Sequence, residues 1–302
     1  MTSITAGQVA VLLNPTAGRG RFQDQLPAVL DALRAGGRDV AALDAGTPEE
    51  ALRECQAAVD GGAGALVAVG GDGTLHLALQ AVAGTGIPFG AVPAGTGNDF
   101  VTDLGLPTEA VPAAQAVAGA LRDGRTRTVD LARMTGGDGR RRWFGAVLAA
   151  GFDAVVNERA NRMSFPKGPR RYDIAILVEL LKLRPRRYTL RLDGTEHQVD
   201  AVLVAVGNTA SYGGGMRICP GADPTDGLLD VVVGARMGRG TMMRIKPHLY
   251  QGTHVQHPLV TTYRAARVEL AAEGITGYAD GERAFPLPVT ITCEPGALAL
   301  LA

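Results

Sequence analysis

Four short, uninterrupted apolar runs separated by amphipathic stretches dominate the first 125 residues of this 302-residue chain. The runs are Val9–Leu13, Val40–Leu43, Ala65–Val69 and Phe89–Val92. Strands that are buried on both faces are apolar throughout, and such strands alternating with helices form a parallel sheet. Ligands bind these sheets in the loops that follow the carboxyl ends of the strands. The pattern therefore predicts an N-terminal α/β domain whose binding site lies in those loops.

The pattern changes near Arg125, where strand signals separated by turns such as Asp193-Gly194 replace the alternation of strands and helices. We predict a parallel-sheet α/β domain over residues 1–125, a mostly antiparallel β domain over 126–292, and a C-terminal segment, 293–302, that returns to the first domain. The predicted strands of the second domain are Thr126–Met134, Trp143–Ala149, Arg187–Leu192, Ala201–Val206, Leu228–Val233, Arg267–Ala271 and Pro288–Cys293. Its predicted helices are Asp153–Met163, Arg170–Leu183 and Gly238–Tyr250.

Charge and cysteine content exclude several classes of protein. Thirty basic and thirty acidic residues give a net charge of zero, which excludes the basic field expected of a nucleic-acid-binding protein. The three cysteines lie far apart, so a disulfide framework and a cysteine-based zinc site are also excluded. The chain shows no signal peptide and no run of about 18 apolar residues. We therefore expect a soluble protein of the reducing cytoplasm.

Three glycine-rich loops follow the apolar runs of the first domain. They cover Asn14–Arg21, Gly70–Thr74 and Pro93–Phe100, and each combines glycines with hydroxyl or amide side chains. Glycine lets backbone N–H groups approach an anion closely, and the N-terminus of a following helix adds a favourable dipole. Three such loops at the same edge of one sheet predict phosphate binding.

A second copy of the string Gly-Gly-Asp-Gly occurs at Gly136–Gly139. It lies between two predicted antiparallel strands rather than between a strand and a helix. We therefore predict a hairpin turn without a phosphate-binding role.

Motifs of the common phosphate-binding and hydrolytic enzymes are absent from the sequence. It contains no GxxxxGK[ST], no strict GxGxxG, no HRD or DFG string and no GxSxG. P-loop enzymes, protein kinases and α/β-hydrolases are therefore excluded.

The three loops together resemble the diacylglycerol kinase catalytic domain, whose superfamily includes sphingosine kinases, ceramide kinases and bacterial soluble lipid kinases. The resemblance rests on Asn14-Pro15 with Gly18, on GGDGT, on PAGTGNDF and on Ala279–Glu282, and it extends over nearly the whole chain. It implies a nucleotide domain like those of phosphofructokinases and NAD kinases, and a C-terminal β-sandwich. It also implies that ATP, magnesium and a membrane lipid substrate meet in a cleft.

The resemblance assigns roles residue by residue. Glu282 matches the general base, and Asp72 would organise magnesium as a catalytic residue. Asp223, Asp226 and the backbone of Leu228 match a structural magnesium site. The residues assigned to the nucleotide are Asn14, Pro15, Thr16, Ala17, Gly18, Gly70, Gly71, Asp72, Gly73, Thr74, Thr96 and Asn98.

Several of these positions have simpler alternatives. Asp72 could cap a helix, Glu282 alone would be a solvated acid in a turn, and Asp223 with Asp226 could cap turns. His76, where the family often has Asn, is expected on a helix face. Thr47 is followed by Pro48 and Glu50, which is typical of a helix cap rather than a nucleotide contact.

Residues 159–191 contain ten basic and two acidic residues, a net charge of +8 that the rest of the chain must balance. Within this stretch, Ile174–Leu183 is apolar at eight of ten positions. Basic residues beside an apolar helix favour peripheral contact with an anionic membrane. The alternative is a core helix with solvated flanks.

These observations predict a cytoplasmic, ATP- and magnesium-dependent lipid kinase at the inner face of the membrane, which converts diacylglycerol to phosphatidic acid. The alternatives are a kinase for phosphatidylglycerol or a sphingoid base, an NAD kinase, and a non-catalytic regulator that binds nucleotide or lipid. A homodimer is compatible with the resemblance.

Overall fold

A computed structural model of the chain describes residues 5–14, 22–95, 97–163 and 170–302. The chain divides into two compact units, as the sequence predicts. The first is Met1–Leu131 with Glu294–Ala302, and the second is Ala132–Cys293.

The first unit is built on a parallel sheet with strand order β2-β1-β3-β4-β15. Strands β1, β3 and β4 are apolar and almost fully buried beneath helices, and the packed residues include Val9, Val67 and Val92 together with Val29 of α1 and Val117 of α5. The strands of this unit are β1 (Val9–Leu13), β2 (Val40–Leu43), β3 (Ala65–Gly70) and β4 (Pro88–Pro93), and its helices are α1 (Leu26–Arg34), α2 (Pro48–Asp60), α3 (Asp72–Val82), α4 (Asp99–Asp103) and α5 (Ala110–Asp123).

The last strand of the chain, β15 (Val289–Leu301), ends in the first unit. Its residues Ala299 and Leu300 pair in parallel with Pro88 and Phe89 of β4.

The second unit consists mainly of antiparallel strands in the order β14-β13-β7-β9-β8-β12-β15, with β10 paired to β9 and β11. Its core is formed by buried residues such as Tyr188, Leu190, Val206, Val231 and Ile291. The strands that enter or form this unit are β5 (Thr126–Gly136), β6 (Arg141–Phe144), β7 (Val147–Gly151), β8 (Arg186–Leu192), β9 (Thr195–Gly207), β10 (Leu229–Ala235), β11 (Val260–Ala265), β12 (Arg267–Ala272), β13 (Thr276–Ala279) and β14 (Glu282–Pro286); the helices are α6 (Phe152–Arg162), α7 (Arg170–Leu181), α8 (Arg239–Gln251) and a 3₁₀ helix, Thr253–Gln256.

Both predicted hairpin turns of the second unit are confirmed. Asp193 and Gly194 have φ values of 46° and 92° and join β8 to β9, with Leu192 opposite Thr195. The second Gly-Gly-Asp-Gly string joins β5 to β6, which pair in antiparallel register.

The prediction of one strand over Trp143–Ala149 is wrong, because the structure breaks it into β6 and β7. The N–H groups of Gly145 and Ala146, at the break, donate to the two carboxylate oxygens of Asp280 at 3.0 and 2.8 Å. These N–H groups bond to a side chain rather than to a neighbouring strand, so the strand ends there. Strands β11, β13 and β14 were not predicted, because they are short and interrupted by polar residues or glycine.

Candidate active site

Asn14, which follows β1, and the loops that follow β3 and β4 lie side by side at one edge of the first unit's sheet. Strand β3 pairs in parallel with both β1 and β4, so the carboxyl ends of the three strands are adjacent. The N–H of Asn14 donates to the carbonyl of Val69 at 3.1 Å, and that of Ala94 donates to Gly70 at 2.8 Å. The structure therefore brings together Asn14, the GGDGT loop (Gly70–Thr74) and the Ala94–Asn98 segment.

Five of the predicted nucleotide residues lie outside the described part of the chain. They are Pro15, Thr16, Ala17, Gly18 and Thr96. Their assignment stays a prediction.

Glycines allow the second and third loops to touch through their backbones. A Cβ atom placed on Gly95 would lie 2.6 Å from the Cα of Gly71, closer than real Cβ contacts come. A Cβ on Gly70 would lie 2.5 Å from the Cβ of Thr74. Glycine is therefore required at positions 70 and 95 by close approach.

The carboxylate of Asp72 connects the two glycine loops. Asp72 is the first residue of α3 and is partly buried, and its Oδ2 accepts the N–H of Asn98 at 2.9 Å. A Cβ on Gly97 would lie 2.7 Å from the same oxygen. The N-cap position itself is occupied by Gly71, which has no side chain to cap the helix. Asp72 is therefore not the N-cap residue, and its carboxylate holds the neighbouring loop.

Asn98 shapes the third loop through its own side chain. Its φ of 59° lies in the left-handed region, which Asn adopts more readily than most residues. Its Oδ1 accepts from the N–H of Gly95 at 3.3 Å, and its Nδ2 donates to the Gly95 carbonyl at 3.2 Å. These bonds fix the loop, while nucleotide contact by Asn98 stays a prediction.

Asn14 and Thr74 link the first loop to the second. The Nδ2 of Asn14 donates to the Oγ1 of Thr74 at 3.2 Å, although the residues are 60 positions apart. Together with the glycine contacts, this bond ties Asn14 at the end of β1 to the loops that follow β3 and β4.

The expectations for Thr47 and His76 are confirmed. The Oγ1 of Thr47 accepts the N–H of Glu50 at 3.2 Å, and Glu50 Oε2 accepts the N–H of Thr47 at 3.2 Å, which is a capping box. His76 lies on α3 and is buried.

Glu282, the predicted base, lies in the second unit at the start of β14. Asp280 and Gly281 have φ values of 51° and 82° and form the two-residue turn of the β13–β14 hairpin, in which Glu282 faces Ala279. Glu282 is exposed, and no hydrogen bond or ion pair joins its side chain to the described residues. The structure fixes its position, and its catalytic role stays a prediction.

Glu158, which was not predicted, anchors the strands on either side of this turn. Its carboxylate accepts from the hydroxyl of Tyr278 and, at 3.2 Å, from Nε of Arg283. The Tyr278 hydrogen bond, more than the Arg283 guanidinium, holds the pKa of Glu158 below its usual range. Tyr278 and Arg283 are more than 100 residues away from Glu158 in the chain, so the sequence carries no local signal for these two contacts.

Asp223, Asp226 and Leu228, the predicted structural magnesium site, form a capped turn. Asp223 Oδ1 accepts the N–H of Thr225 at 3.0 Å, and Asp226 Oδ1 accepts the N–H of Leu228 at 2.9 Å. The guanidinium of Arg264 pairs with the other oxygen of Asp226.

The same guanidinium also contacts Asp230 at 3.3 Å. Within the described ranges, no three His, Cys, Asp or Glu side chains converge on a metal position. In this arrangement the carboxylate of Asp226 is paired with the Arg264 guanidinium. The assignment of a structural magnesium site to Asp223, Asp226 and Leu228 stays a prediction.

Comparisons with known proteins assign the chain to a protein family. Residues 8–134 match the diacylglycerol kinase catalytic domain, and residues 146–302 match the YegS C-terminal NAD kinase beta sandwich-like domain. The diacylglycerol kinase of Mycobacterium tuberculosis is 45% identical over 296 residues, which cover 98% of this chain and 95% of the relative. The chain belongs to the diacylglycerol kinase family. It is therefore a lipid kinase, and a kinase of this family implies ATP as co-substrate.

More distant members of the diacylglycerol kinase family span similar lengths. The diacylglycerol kinase of Staphylococcus aureus is 26% identical over 282 residues, 92% of this chain and 87% of its own. The crystal structure of a Bacillus anthracis protein described as a diacylglycerol kinase aligns with 99% of this chain and with 96% of its own chain, with a TM-score of 0.79. At 22% identity, that likeness shows the fold alone.

Among the residues that the structure describes, no helix combines the length and the apolar character needed to cross a bilayer.

Proposed function

We propose that this lipid kinase transfers the γ-phosphate of ATP to the hydroxyl of diacylglycerol, which yields phosphatidic acid and ADP. One observation carries the proposal. The Asp72 carboxylate holds the Asn98 loop at 2.9 Å, at the junction of two loops that touch through Gly71 and Gly95. The Mycobacterium tuberculosis relative, which bears the name of this activity, supports the choice of acceptor.

The glycine loops are suited to hold the phosphates of ATP. Gly71 is the N-cap of α3 and has no side chain to cap that helix, so the helix N-terminus and its dipole favour an anion. Gly70, Gly73 and Thr74 complete the turn around this helix end. These residues would bind and orient the phosphates before transfer.

Asp72 fits a role in holding magnesium. A lone carboxylate at a phosphate loop would repel the nucleotide, and this one is partly buried at the head of α3. Asp72 would hold a magnesium ion, which when bound neutralises charge on the phosphate oxygens. Its bond to Asn98 would keep the carboxylate in place during transfer.

Glu282 is the proposed base. The acceptor oxygen forms a bond to the γ-phosphorus, the bond from that phosphorus to the bridging oxygen of ADP breaks, and the hydroxyl proton passes to the carboxylate of Glu282. An exposed carboxylate on a rigid hairpin can accept a proton and release it to water. The hairpin is held by Asp280, whose carboxylate accepts two backbone N–H groups.

We also propose that the protein works at an anionic membrane surface. The net charge of +8 over residues 159–191 supports this contact. A lipid acceptor is presented there, so attraction to the surface would raise its local concentration.

The test is a radiolabelled ATP assay against diacylglycerol, phosphatidylglycerol, a sphingoid base and NAD, run with the wild type and with Glu282→Gln. We expect labelled phosphatidic acid from the wild type. Loss of the base should lower kcat by about 10²–10⁴-fold while ATP affinity in calorimetry stays unchanged. A matched control, Glu273→Gln, removes another exposed carboxylate of the second unit and should retain activity.

Transfer of radiolabelled phosphate to another acceptor, with no transfer to diacylglycerol, would overturn the proposed substrate. Parallel loss of ATP binding and activity in Glu282→Gln would make Glu282 a binding residue and remove its role as base.

A further inference from the structure

A cavity of about 460 Å³ in the second unit is not used by the proposed chemistry. It lies between α6, the residues that follow α7, and strands β8 and β9. Its volume falls within the ~300–1,000 Å³ typical of sites for small molecules. Phe152, Val155, Leu183 and Val202 supply apolar walls. The interior therefore suits a hydrocarbon chain.

Four cations also line this cavity: Lys182, Arg184, Arg186 and Arg239. The guanidinium of Arg186 donates to the main-chain oxygen of Glu273 at 3.2 Å, and that of Arg239 donates to the main-chain oxygen of Leu181. Across the described ranges of the chain, none of the four forms an ion pair with a carboxylate.

The acid that lines the cavity does not offset this charge. Glu179 pairs with Arg159, so its carboxylate is already neutralised. The cavity thus combines an apolar interior with an excess of positive charge, which suits an anionic amphiphile.

Tyr188 lines the cavity and carries a buried hydroxyl in its wall. Its side chain is fully buried, and its hydroxyl has no hydrogen-bond partner among the described residues. Burial raises the pKa of Tyr188 to about 12, so the hydroxyl keeps its proton at neutral pH. Gly151 leaves room beside it, since a Cβ there would lie 3.1 Å from the hydroxyl oxygen. A buried donor without a partner favours a ligand that brings an acceptor.

The surface next to the cavity is apolar as well as basic. Leu181, which lines the cavity, is 58% exposed. On α8, which begins at the cavity residue Arg239, Met243 and Tyr250 are exposed and lie seven positions apart, on one face of the helix. Exposed apolar side chains beside cations fit the boundary between headgroups and acyl chains of a membrane.

We propose that this cavity binds one anionic phospholipid molecule. An acyl chain would lie among Phe152, Val155 and Val202, an ester oxygen would accept from the Tyr188 hydroxyl, and the phosphate would contact Lys182 and Arg184. The proposal rests on the proposed function only in placing the protein at a lipid membrane. Its test contains no ATP, so it can fail while kinase activity stands, and it can hold if the kinase assay fails.

The test is calorimetric titration of the full chain with dioctanoyl phosphatidylglycerol below its micelle concentration. Dioctanoyl phosphatidylcholine and inorganic phosphate serve as comparisons. We expect one phosphatidylglycerol bound per chain, phosphatidylcholine bound at least about tenfold more weakly because its headgroup carries no net charge, and no competition by inorganic phosphate. Equal binding of the two lipids, or displacement by inorganic phosphate, would overturn the proposal.

Charge variants test the proposed phosphate contacts. Lys182→Ala with Arg184→Ala should weaken phosphatidylglycerol binding by about tenfold or more. The matched control removes two exposed cations that do not line the cavity, Arg53→Ala with Arg141→Ala, and should bind like the wild type. Equal loss in both double variants would reduce the effect to net charge and overturn the assigned site.

Two further variants test the interior. Val155→Phe fills apolar space and should abolish binding while leaving the cations in place. Tyr188→Phe removes the unpaired hydroxyl, so it should keep thermal stability and weaken binding by about fivefold, the effect of one net hydrogen bond. The matched control is Tyr263→Phe, outside the cavity. Wild-type binding by a folded Val155→Phe and by Tyr188→Phe would overturn the proposal.

Discussion

The string Gly-Gly-Asp-Gly occurs twice in this chain and has two different structures. At Gly70–Gly73 it connects the parallel strand β3 to α3, and at Gly136–Gly139 it connects the antiparallel strands β5 and β6. The same letters therefore become a strand-to-helix loop in one place and a hairpin turn in the other. The segment after each string decides the outcome, because an apolar helical stretch comes after the first copy and three arginines come after the second.

The aspartates of the two copies differ in the range of their contacts. Asp72 accepts from the N–H of Asn98, 26 residues away, and so joins two loops of the sheet edge. Asp138 accepts from the N–H of Arg140 at 3.0 Å and from its Nε at 2.7 Å, two residues away. The first contact organises a site, whereas the second only closes a turn.

The largest difference between the copies should appear in activity. Asp72→Asn keeps a side-chain oxygen for the Asn98 N–H but loses the charge proposed to hold magnesium. We expect the rate of phosphate transfer to diacylglycerol to fall by about 10²–10³-fold. Asp138→Asn makes the same chemical change in the other copy and should leave the rate within about twofold, since surface changes are usually near neutral.

Both variants should be assayed at saturating ATP and magnesium, with circular dichroism to check the fold. Near-normal turnover by Asp72→Asn would remove its catalytic role. A comparable loss in Asp138→Asn would show that the two copies are not as different as their structures indicate.

The fold could be predicted wherever local pattern decides it. Strands β1 to β4 are apolar throughout, and the Thr47 capping box and the Asp193-Gly194 turn carry their own signals. The break between β6 and β7 could not be predicted, because it depends on Asp280, more than 130 residues away. Long-range side-chain contacts leave no periodicity in the sequence.

In the candidate site, too, local patterns could be predicted and long-range contacts could not. The loops at the sheet edge follow from the order of strands and glycines, and resemblance alone identifies Glu282. The bond from Asn98 to Asp72 and the contacts of Glu158 with Tyr278 were not predictable, since neither partner lies near the other in the chain.

The glycines of the two Gly-Gly-Asp-Gly copies also differ in the space around them. Gly70→Ala would place a methyl group 2.5 Å from the Cβ of Thr74, so the end of β3 or the start of α3 must shift. We expect a loss of about 1–3 kcal/mol of unfolding free energy, as for other overpacked sites. Gly137→Ala, in the hairpin, meets only the Pro288 carbonyl at 3.9 Å and should change stability by less than about 0.5 kcal/mol.

Urea denaturation of the two variants, followed by fluorescence and circular dichroism, measures this difference. Equal midpoints for Gly70→Ala and the wild type would mean that the loop can move away from Thr74 at no cost. The close contact would then not explain why glycine stands at position 70.

The smallest expected effect is a pH-dependent contribution of Asp138 to stability in the β5–β6 hairpin. The backbone N–H of Arg140, and after it the Arg140 side chain, lowers the pKa of Asp138 below its ordinary value of 3.8. A carboxyl group whose pKa is lower in the folded state stabilises the fold above its unfolded pKa, and the contribution is lost as pH falls through the folded pKa. Wild type should therefore be slightly more stable than Asp138→Asn at pH 7 and at pH 5, and the difference should shrink below about pH 4. Because the turn is exposed, salt should weaken the Arg140 attraction and reduce the difference at every pH. Thermal midpoints of both proteins at four pH values and two salt concentrations measure it, and a difference that grows as pH falls would contradict the assigned contact.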